Sequence, residues 1–290
     1  MENTSLRDAV KKAALAHCDA AAICGVHANA CYHARYLNAT DFGLPDGLSY
    51  LTRNPDGRFD IDSRYPGAKS LLVCLFSYWD ENTDENLLSL TPDEWLASRR
   101  ARGLKAPPDW LYALAREEGM ARVARYAAGQ DYHVAVKGAL GRIFKSIQAF
   151  APDVEGRSFV DTSPISEKSF AVQCGLGWMG KNTLLINKER GSYFVIGLLA
   201  LSLPLEPDTA LYPDECGECH RCIDACPCGA LSPYRLNQSL CLAYWTTQHK
   251  GGAPEPEILR ALNDRLEGCD LCQQACPYNS GNKAKRNKIF

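Results

Sequence analysis

Cysteine is the residue type whose placement in this 290-residue chain is most unusual. Nine of the fourteen cysteines lie between Cys216 and Cys276. One run has the spacing C-x2-C-x2-C-x3-C and is followed by Pro227; a second has the spacing C-x2-C-x3-C and is followed by Pro277. Cys241 stands between the two runs. Thiols this closely spaced indicate a metal centre, because a disulfide framework is unexpected in a long intracellular chain.

The spacing of the first run is the one with which bacterial ferredoxins hold cubane clusters. Three closely spaced cysteines bind one [4Fe–4S] cluster, and the fourth binds the other cluster of the pair. The sequence therefore predicts two [4Fe–4S] clusters that exchange a ligand. The first set is Cys216, Cys219, Cys222 and Cys276, and the second is Cys226, Cys241, Cys269 and Cys272. Structural zinc is the alternative, since C-x2-C pairs also bind zinc in groups of four.

The other cysteines are scattered or left over. Cys228 is a spare thiol that we expect to pack locally. The five cysteines of the first two hundred residues are predicted to be small buried hydrophobic side chains. They are Cys18, Cys24, Cys31, Cys74 and Cys174.

Composition and charge are those of an ordinary globular protein. Hydrophobic residues make up 46% of the chain and charged residues 23%, and the formal net charge is −2. This charge gives no global attraction to nucleic acid or to an acidic membrane surface. No apolar run reaches the roughly 18–20 residues of a membrane span, and the N-terminus is polar. We therefore expect a soluble cytoplasmic protein with no membrane association.

Helices and strands are mixed along the chain without a regular βαβ repeat. Residues 36–66 are predicted to form long loops, and residues 80–108 a solvated excursion. A linker is expected over 205–215. The periodicity predicts helices over 5–18, 109–128, 132–150 and 165–175, and strands over 21–26, 70–79, 157–164, 182–187 and 192–204. This mixture predicts the α+β class, with a larger domain followed by a small cysteine-rich one.

Two segments imitate known ligand-binding motifs. Gly175–Thr183 contains G-x-G-x-x-G and nearly a phosphate-binding loop, but it has a predicted helix before it and a strand after it, the reverse of a dinucleotide site. We expect its glycines to let the backbone approach a large, flat group. Asp131–Val136 matches half of D-x-H-x-x-G, a cobalt-ligating motif. The glycine is missing, so His133 is expected to have a capping or surface role.

Three segments together resemble one family, epoxyqueuosine reductase. They are "RYAAGQDYH" (125–133), "VDTSPISEKSFAVQCGLGWMGKNTLLIN" (160–187) and the two cysteine runs with Cys241. The family is cobalamin-dependent, carries iron–sulfur clusters and completes queuosine in tRNA. The resemblance implies a cobalamin-binding α/β domain over 1–205 and a double [4Fe–4S] ferredoxin-like domain over 206–290.

The resemblance also implies site residues. Asp161 matches the acid that protonates the departing epoxide oxygen, and for that role we expect burial beside the macrocycle to raise its pKa; the alternative is a turn or helix cap. Arg53 matches a position near cobalamin. Gly180, Lys181, Asn182 and Leu185 match a corrinoid-contacting loop. The implied partners are tRNA carrying epoxyqueuosine and a separate one-electron donor, a flavodoxin or ferredoxin, with a monomeric enzyme.

Many members of the family continue into a helical-repeat extension that helps to hold tRNA, whereas this chain ends soon after Cys276. The basic segment 98–105 and the basic tail could supply phosphate contacts instead, or they could be plain solvated charge. Two other functions stay open. One is reductive dehalogenation, which uses similar cofactors, and the other is non-catalytic electron transfer by a ferredoxin with a docking domain.

Overall fold

A computed structural model describes residues 5–29, 44–45, 47–80, 83, 85–280 and 285–290. The prediction for Cys31 and part of that for the loops over 36–66 lie outside these residues. The helices are α1 (Leu6–Leu15), α2 (Pro92–Ala101), α3 (Asp109–Glu118), α4 (Tyr132–Gln148), α5 (Glu167–Gln173), α6 (Arg221–Asp224), α7 (Leu242–Thr247), α8 (Pro256–Leu262) and α9 (Leu271–Gln274). The strands are β1 (Ala20–Cys24), β2 (Ser70–Ser77), β3 (Ser89–Leu90), β4 (Ala121–Val123), β5 (Gly156–Val160), β6 (Trp178–Met179), β7 (Leu185–Ile186), β8 (Phe194–Leu201), β9 (Leu231–Ser232), β10 (Arg235–Leu236) and β11 (Arg265–Glu267).

A four-stranded antiparallel sheet in the order β1–β2–β8–β5 forms the centre of the molecule. Every residue of β2 is buried, because both faces of the sheet are covered. One face packs against α1 and α4, and the other packs against α5. Val160 ends β5 opposite Gly197, the fourth residue of β8, and β5 runs towards the end of the sheet at which β8 starts. The segment that follows β5 therefore emerges at the sheet edge where β8 begins.

The periodicity of α4 explains how it is fixed on the sheet. Its buried side chains recur at three- and four-residue intervals, as expected of a helix with one apolar face; they are Val136, Ala139, Leu140, Ile143 and Ile147. Asp131 caps the N-terminus, where its side chain accepts a hydrogen bond from the backbone N–H of His133 at 2.8 Å. The predicted helix over 132–150 is confirmed and ends at Gln148. The cap is Asp131 rather than His133, whose ring lies between Asp131 and Asp161.

The predicted helix over 109–128 is wrong in its second half. α3 ends at Glu118, and Gly119 adopts the left-handed conformation (φ 69°) that commonly terminates a helix. Residues 121–123 then form β4 between β3 and β11. Local helical propensity is overridden here, because strand partners from distant parts of the chain are available on both sides.

The predicted solvated excursion over 80–108 is also wrong in part, because α2 contributes to the core. Thr91 and Glu94 form a capping box at its start, and Trp95 is fully buried. The indole nitrogen of Trp95 donates to Glu267 Oε2 at 2.7 Å. Arg102 Nη1 donates to Glu267 Oε1 at 2.8 Å, and Arg99 Nη1 lies 3.2 Å from Glu267 Oε2.

The cysteine-rich part of the chain is joined to the first part through β11. This strand pairs in parallel with β4, and the buried Glu267 at its end accepts the hydrogen bonds from α2. The division of the chain at 205–206 stays a prediction; β11 completes a sheet whose other strands come from the first part. In the described parts of the chain, no helix is both long and apolar enough to cross a membrane.

Candidate metal centres and the adjoining cleft

Four cysteines from both runs line a cavity of about 220 Å³. Cys216, Cys219 and Cys222 come from the turn before α6 and from its first residues, and Cys276 follows α9. The indole of Trp178 and the ring of Tyr278 pack against this group. These four cysteines are the first set that the sequence predicts.

The other four predicted cysteines line a second cavity of about 380 Å³. Cys226 belongs to the first run but lies with Cys241, Cys269 and Cys272 rather than with its neighbours in sequence. The structure thus groups the eight thiols in the two sets that the spacing predicts, including the exchange of Cys226 and Cys276. Their role as ligands stays a prediction at this point.

Each cavity is lined by four thiols. Among the residues that the structure describes, no group of three or more His, Cys, Asp or Glu side chains is arranged to hold a metal ion. Burial raises the pKa of Cys269 to about 11 and also raises the pKa values of Cys241 and Cys272. Thiols in this setting are protonated at neutral pH, so metal binding has to displace their protons.

The second cavity opens into an apolar cleft against the central sheet. Its apolar lining includes Leu184, Leu185, Phe194, Ile196, Leu231 and Leu242. Lys168 and Tyr132 also line it. Lys168 is partly buried and donates from Nζ to the carbonyl of Thr183 at 2.8 Å, and desolvation lowers its pKa. One continuous cleft therefore leads from four cysteines to the hydroxyl-bearing ring of Tyr132.

The loop that matches the corrinoid-contacting region is the tip of a β-hairpin formed by β6 and β7. Lys181 lines the first cavity and donates from Nζ to the carbonyl of Gly217. Asn182 is 3% exposed and lines both cavities; its Nδ2 has no hydrogen-bond partner among the described residues. Leu185 lines the second cavity, whereas Gly180 lies at the turn without lining either.

The expectation for the glycines of this loop is wrong at two positions. A Cβ atom on Gly175 would lie 1.8 Å from the carbonyl oxygen of Ala210, and one on Gly177 would lie 2.1 Å from that of Ile186. Both glycines also have positive φ angles. They are required by the close approach of the protein's own backbone, not by a ligand. The hairpin geometry agrees with the rejection of a dinucleotide or nucleotide-phosphate site.

Asp161 follows β5 directly and has a positive φ of 33°. Its Oδ2 accepts a hydrogen bond from Tyr132 Oη at 2.8 Å and lies 3.2 Å from His133 Nε2. The other ring nitrogen of His133 lies 2.8 Å from Asp131 Oδ1. The backbone N–H of Asp161 donates to Glu167 Oε1 at 2.5 Å. The side chain of Asp161 is 59% exposed and thus accessible to a substrate.

The electrostatics of this group reverse the expectation for Asp161. The hydrogen bond from His133 lowers the pKa of Asp161, so the carboxylate is ionised at neutral pH. The same hydrogen bond raises the pKa of His133. Burial and the nearby charge of Asp161 raise the pKa of Glu167 to about 8. The protonated form is therefore favoured at His133 and Glu167 and disfavoured at Asp161.

Arg53 lies in an exposed turn and lines neither cavity. The buried cation of that segment is Arg58, which donates from Nη2 to the carbonyl of Tyr50 at 2.7 Å. Sequence reasoning missed Tyr132, His133 and Glu167 as neighbours of Asp161. The "DYH" triplet at the start of α4 was a usable signal, because it places two polar rings at a helix N-terminus.

The fold and the cysteine grouping define a class of protein, and comparison with known families agrees with it. Residues 215–279 match the family described as "4Fe-4S double cluster binding domain". The chain is therefore an iron–sulfur protein with two cubane clusters, and the zinc alternative is not supported.

Residues 107–162 match the family described as "Epoxyqueuosine reductase QueG, DUF1730". The epoxyqueuosine reductase of Leadbetterella byssophila is 35% identical over 246 residues, which cover 85% of this chain and 69% of that protein. The chain belongs to the epoxyqueuosine reductase family.

Other relatives match over shorter spans or through the fold. The Pseudomonas aeruginosa epoxyqueuosine reductase is 44% identical over 194 residues, or 67% of this chain and 51% of that protein. A crystal structure of epoxyqueuosine reductase with an epoxyqueuosine-modified tRNA-Tyr stem loop superposes with a TM-score of 0.74 at 24% identity, covering 97% of this chain and 67% of that one. This likeness confirms the α+β fold.

Proposed function

We propose that this protein reduces epoxyqueuosine to queuosine in tRNA with electrons that pass through its two [4Fe–4S] clusters. The observation that carries this proposal is the continuity of the cleft. Cys226, Cys241, Cys269 and Cys272 line this cleft. Tyr132, whose hydroxyl donates to Asp161, lines it as well. An electron source and a proton-handling group thus border the same apolar space, as a reductive cleavage requires.

The proposed ligand sets are those given by the cavities. Cys216, Cys219, Cys222 and Cys276 hold one cluster, and Cys226, Cys241, Cys269 and Cys272 hold the other. The charge of Cys222 contributes to the raised pKa of Cys272, so the two sets are electrostatic neighbours. Electrons can then step from the cluster at the first cavity to the one beside the cleft.

We propose cobalamin as the group that occupies the cleft. The described residues fit a corrin ring with amide substituents. The apolar walls suit a macrocycle, and the buried Nδ2 of Asn182 is a hydrogen-bond donor that a ligand amide can satisfy. Leu185 and Asn182 would hold the group, with Gly180 and Lys181 shaping the hairpin beside it. Reduced cobalt supplies the chemistry that breaks a C–O bond. Arg53 stays a prediction that rests on the resemblance alone.

The proton chemistry is assigned to residues at the end of β5 and the start of α4. Converting an epoxide to an alkene and water consumes two electrons and two protons. The raised pKa values of His133 and Glu167 favour the protonated form of each group next to Asp161. We assign to Asp161 the transfer of a proton from His133 Nε2 to the departing oxygen, since its Oδ2 lies within reach of that nitrogen. Tyr132 orients the carboxylate.

The remaining partners are proposed on chemical grounds. We propose that a separate one-electron donor, a flavodoxin or ferredoxin, supplies the electrons, since the clusters accept electrons singly. We further propose that the protein acts in the cytoplasm as a monomer, as the family resemblance implies.

The test is anaerobic turnover of tRNA carrying epoxyqueuosine, with cobalamin and a chemical reductant, read by mass spectrometry of the nucleosides. We expect loss of epoxyqueuosine and an equal gain of queuosine, which stops when cobalamin is omitted. No conversion by protein that contains about eight irons and bound corrinoid would contradict the proposal. Conversion of a halogenated organic compound alone would favour dehalogenation, and iron without corrinoid uptake would favour simple electron transfer.

A further inference from the structure

The outward face of α4 carries a concentration of positive charge. The helix directs its apolar residues to the sheet, and the opposite side exposes Lys137, Arg142 and Lys145. The 17 residues of α4 include no Asp or Glu, so the helix itself does not balance these charges. A cationic helix face of this kind attracts a polyanion.

The basic segment 98–105 is different, because two of its three arginines are already engaged. Arg99 and Arg102, within the segment 98–105, both bind Glu267. No carboxylate among the described residues pairs with the three α4 cations. Segment 98–105 therefore has fewer unpaired cations for phosphate contacts than its sequence indicates, whereas all three cations of α4 are available.

The same face of α4 carries two exposed glycines, Gly138 and Gly141, which add no side chain to the surface. A Cβ atom on Gly141 would meet nothing within 4 Å, and one on Gly138 would meet only Arg142 Nη1, at 3.6 Å. Packing within the protein thus does not require glycine here, although each glycine costs a helix about 1 kcal/mol relative to alanine. Close approach of another backbone is a reason for their presence. Val134, at the start of the face, is 70% exposed.

The position of this face ties it to the reaction site. Val134 directly follows His133, whose Nε2 lies 3.2 Å from Asp161 Oδ2. From Val134 to Lys145 the face extends about 16 Å along the helix axis. A macromolecular substrate that brings one base to Asp161 has to lie over the surface beside it. The face begins at that point.

We propose that this surface, the α4 face (Val134, Lys137, Gly138, Gly141, Arg142 and Lys145), binds the sugar–phosphate backbone of the RNA beside the nucleotide that is reduced. The inference rests on the proposed function and adds where the substrate docks. The cations contact phosphates, and the glycines let the backbone approach the helix.

The test compares two triple variants in the full-length protein loaded with clusters and cobalamin. One is Lys137→Ala/Arg142→Ala/Lys145→Ala, in which alanine preserves the helix. The matched control, Arg100→Ala/Lys105→Ala/Arg116→Ala, removes three exposed cations elsewhere. The probe is a fluorescent anticodon stem–loop RNA carrying epoxyqueuosine, with Kd measured by anisotropy from about 50 to 200 mM salt. A third variant, Gly141→Glu, adds bulk and negative charge at a position where nothing in the protein obstructs it.

The α4 triple variant is expected to raise Kd at least roughly tenfold and to lower the slope of log Kd against log salt by about 2–3, as the loss of three phosphate contacts implies. Gly141→Glu should also raise Kd, and the control should bind as the wild type does. Iron content and corrinoid absorption should be unchanged in all three. Wild-type slope and affinity in the α4 variant, or an equal loss in the control, would overturn the inference.

The outcomes separate this inference from the proposed function. Wild-type protein that neither binds nor converts the RNA would refute both. Wild-type protein that converts the RNA, together with an α4 variant that binds it equally well, would refute only the docking surface.

Discussion

At the scale of single residues, the carboxylate of Asp161 is defined more by its neighbours than by its own burial. Its side chain is largely exposed, yet Tyr132 and His133 both contact the same oxygen. The hydrogen bond from His133 lowers its pKa, which keeps it ionised and able to accept and pass on a proton. The general acid is thus the pair His133–Asp161, in which His133 holds the proton and Asp161 passes it on, rather than a single carboxylic acid.

Replacement of Asp161 by asparagine should abolish most turnover while leaving both kinds of metal cofactor in place. The amide keeps the shape of the side chain but cannot carry a proton from His133, and a loss of about 10²–10⁴-fold in kcat is expected for a missing proton-transfer group. Turnover, iron content and corrinoid absorption measure the effect. Asp153→Asn, at an exposed site after α4, is the control. Undiminished activity in the Asp161 variant would remove that residue from the mechanism.

The pH dependence of kcat should follow the protonation of His133. Its pKa is raised by the contact with Asp161, so the reactive imidazolium persists above the ordinary value of about 6.5. The rate should then be level on the acid side and fall as pH rises through the raised pKa. His133→Gln should lower kcat and remove this alkaline limb, whereas a purely structural role would lower kcat without changing the profile. An unchanged pH profile in the variant would contradict the assignment.

The residue scale also marks the limit of what the sequence could predict. The eight cysteines and their exchange followed from spacing alone, because cluster geometry constrains neighbours in sequence. The pKa of Asp161 could not be predicted, since His133 is 28 residues away and reaches it only through the packing of α4 on β5. The glycines at 175 and 177 likewise depend on Ala210 and Ile186, which no local pattern reveals.

At the scale of elements, periodicity predicts the helices and strands whose own sequence carries a strong apolar repeat. It fails for elements whose structure depends on partners from distant parts of the chain. α1, α4, β2 and β8 have strong apolar repeats, and all were predicted close to their observed positions. The sequence predicts helix where β4 lies, because the pairing of β4 with β3 and β11 is set by the tertiary structure and leaves no local pattern. The same applies to α2, whose buried Trp95 depends on Glu267 from the cysteine-rich part.

The exchange of cysteines between the runs predicts which cluster each substitution affects. Cys226 belongs to the first run, yet Cys226→Ala should remove the cluster beside the cleft. Cys276 belongs to the second run, and Cys276→Ala should remove the cluster at the first cavity. Each variant should lose about half of the roughly eight irons and one of two electron paramagnetic resonance signals. Cys228→Ala, two residues from Cys226, is the matched control and should retain both. Loss of the same cluster in both variants would show that the runs do not exchange ligands.

At the scale of the whole molecule, the cluster beside the cleft depends on how firmly the second cysteine run is held against the first part of the chain. Asp270, next to Cys269, is buried, and its Oδ2 accepts from the backbone N–H of Arg125 at 2.6 Å and lies 3.5 Å from Arg125 Nη1. The guanidinium also lies 5.0 Å from the ring centroid of Trp79. The contact between Asp270 and Arg125, together with β11 and Glu267, holds the second cysteine run (Cys269–Cys276) against the residues that follow β4.

Arg125→Met should therefore destabilise the folded protein far more than Arg122→Met, although both break an Arg–Asp pair near β4. Loss of Arg125 leaves the buried Asp270 without a cation, which costs about 3 kcal/mol, near the lower end for a broken buried pair because the backbone N–H remains. Arg122 is 43% exposed where it binds Asp264, so its loss should cost about 0–1 kcal/mol. Anaerobic denaturation, followed by cluster absorption, measures both. Because Asp270 is next to the proposed ligand Cys269, the Arg125 variant should release the cluster beside the cleft first. Equal stability of the two variants would show that the Arg125–Asp270 contact does not hold the second cysteine run in place.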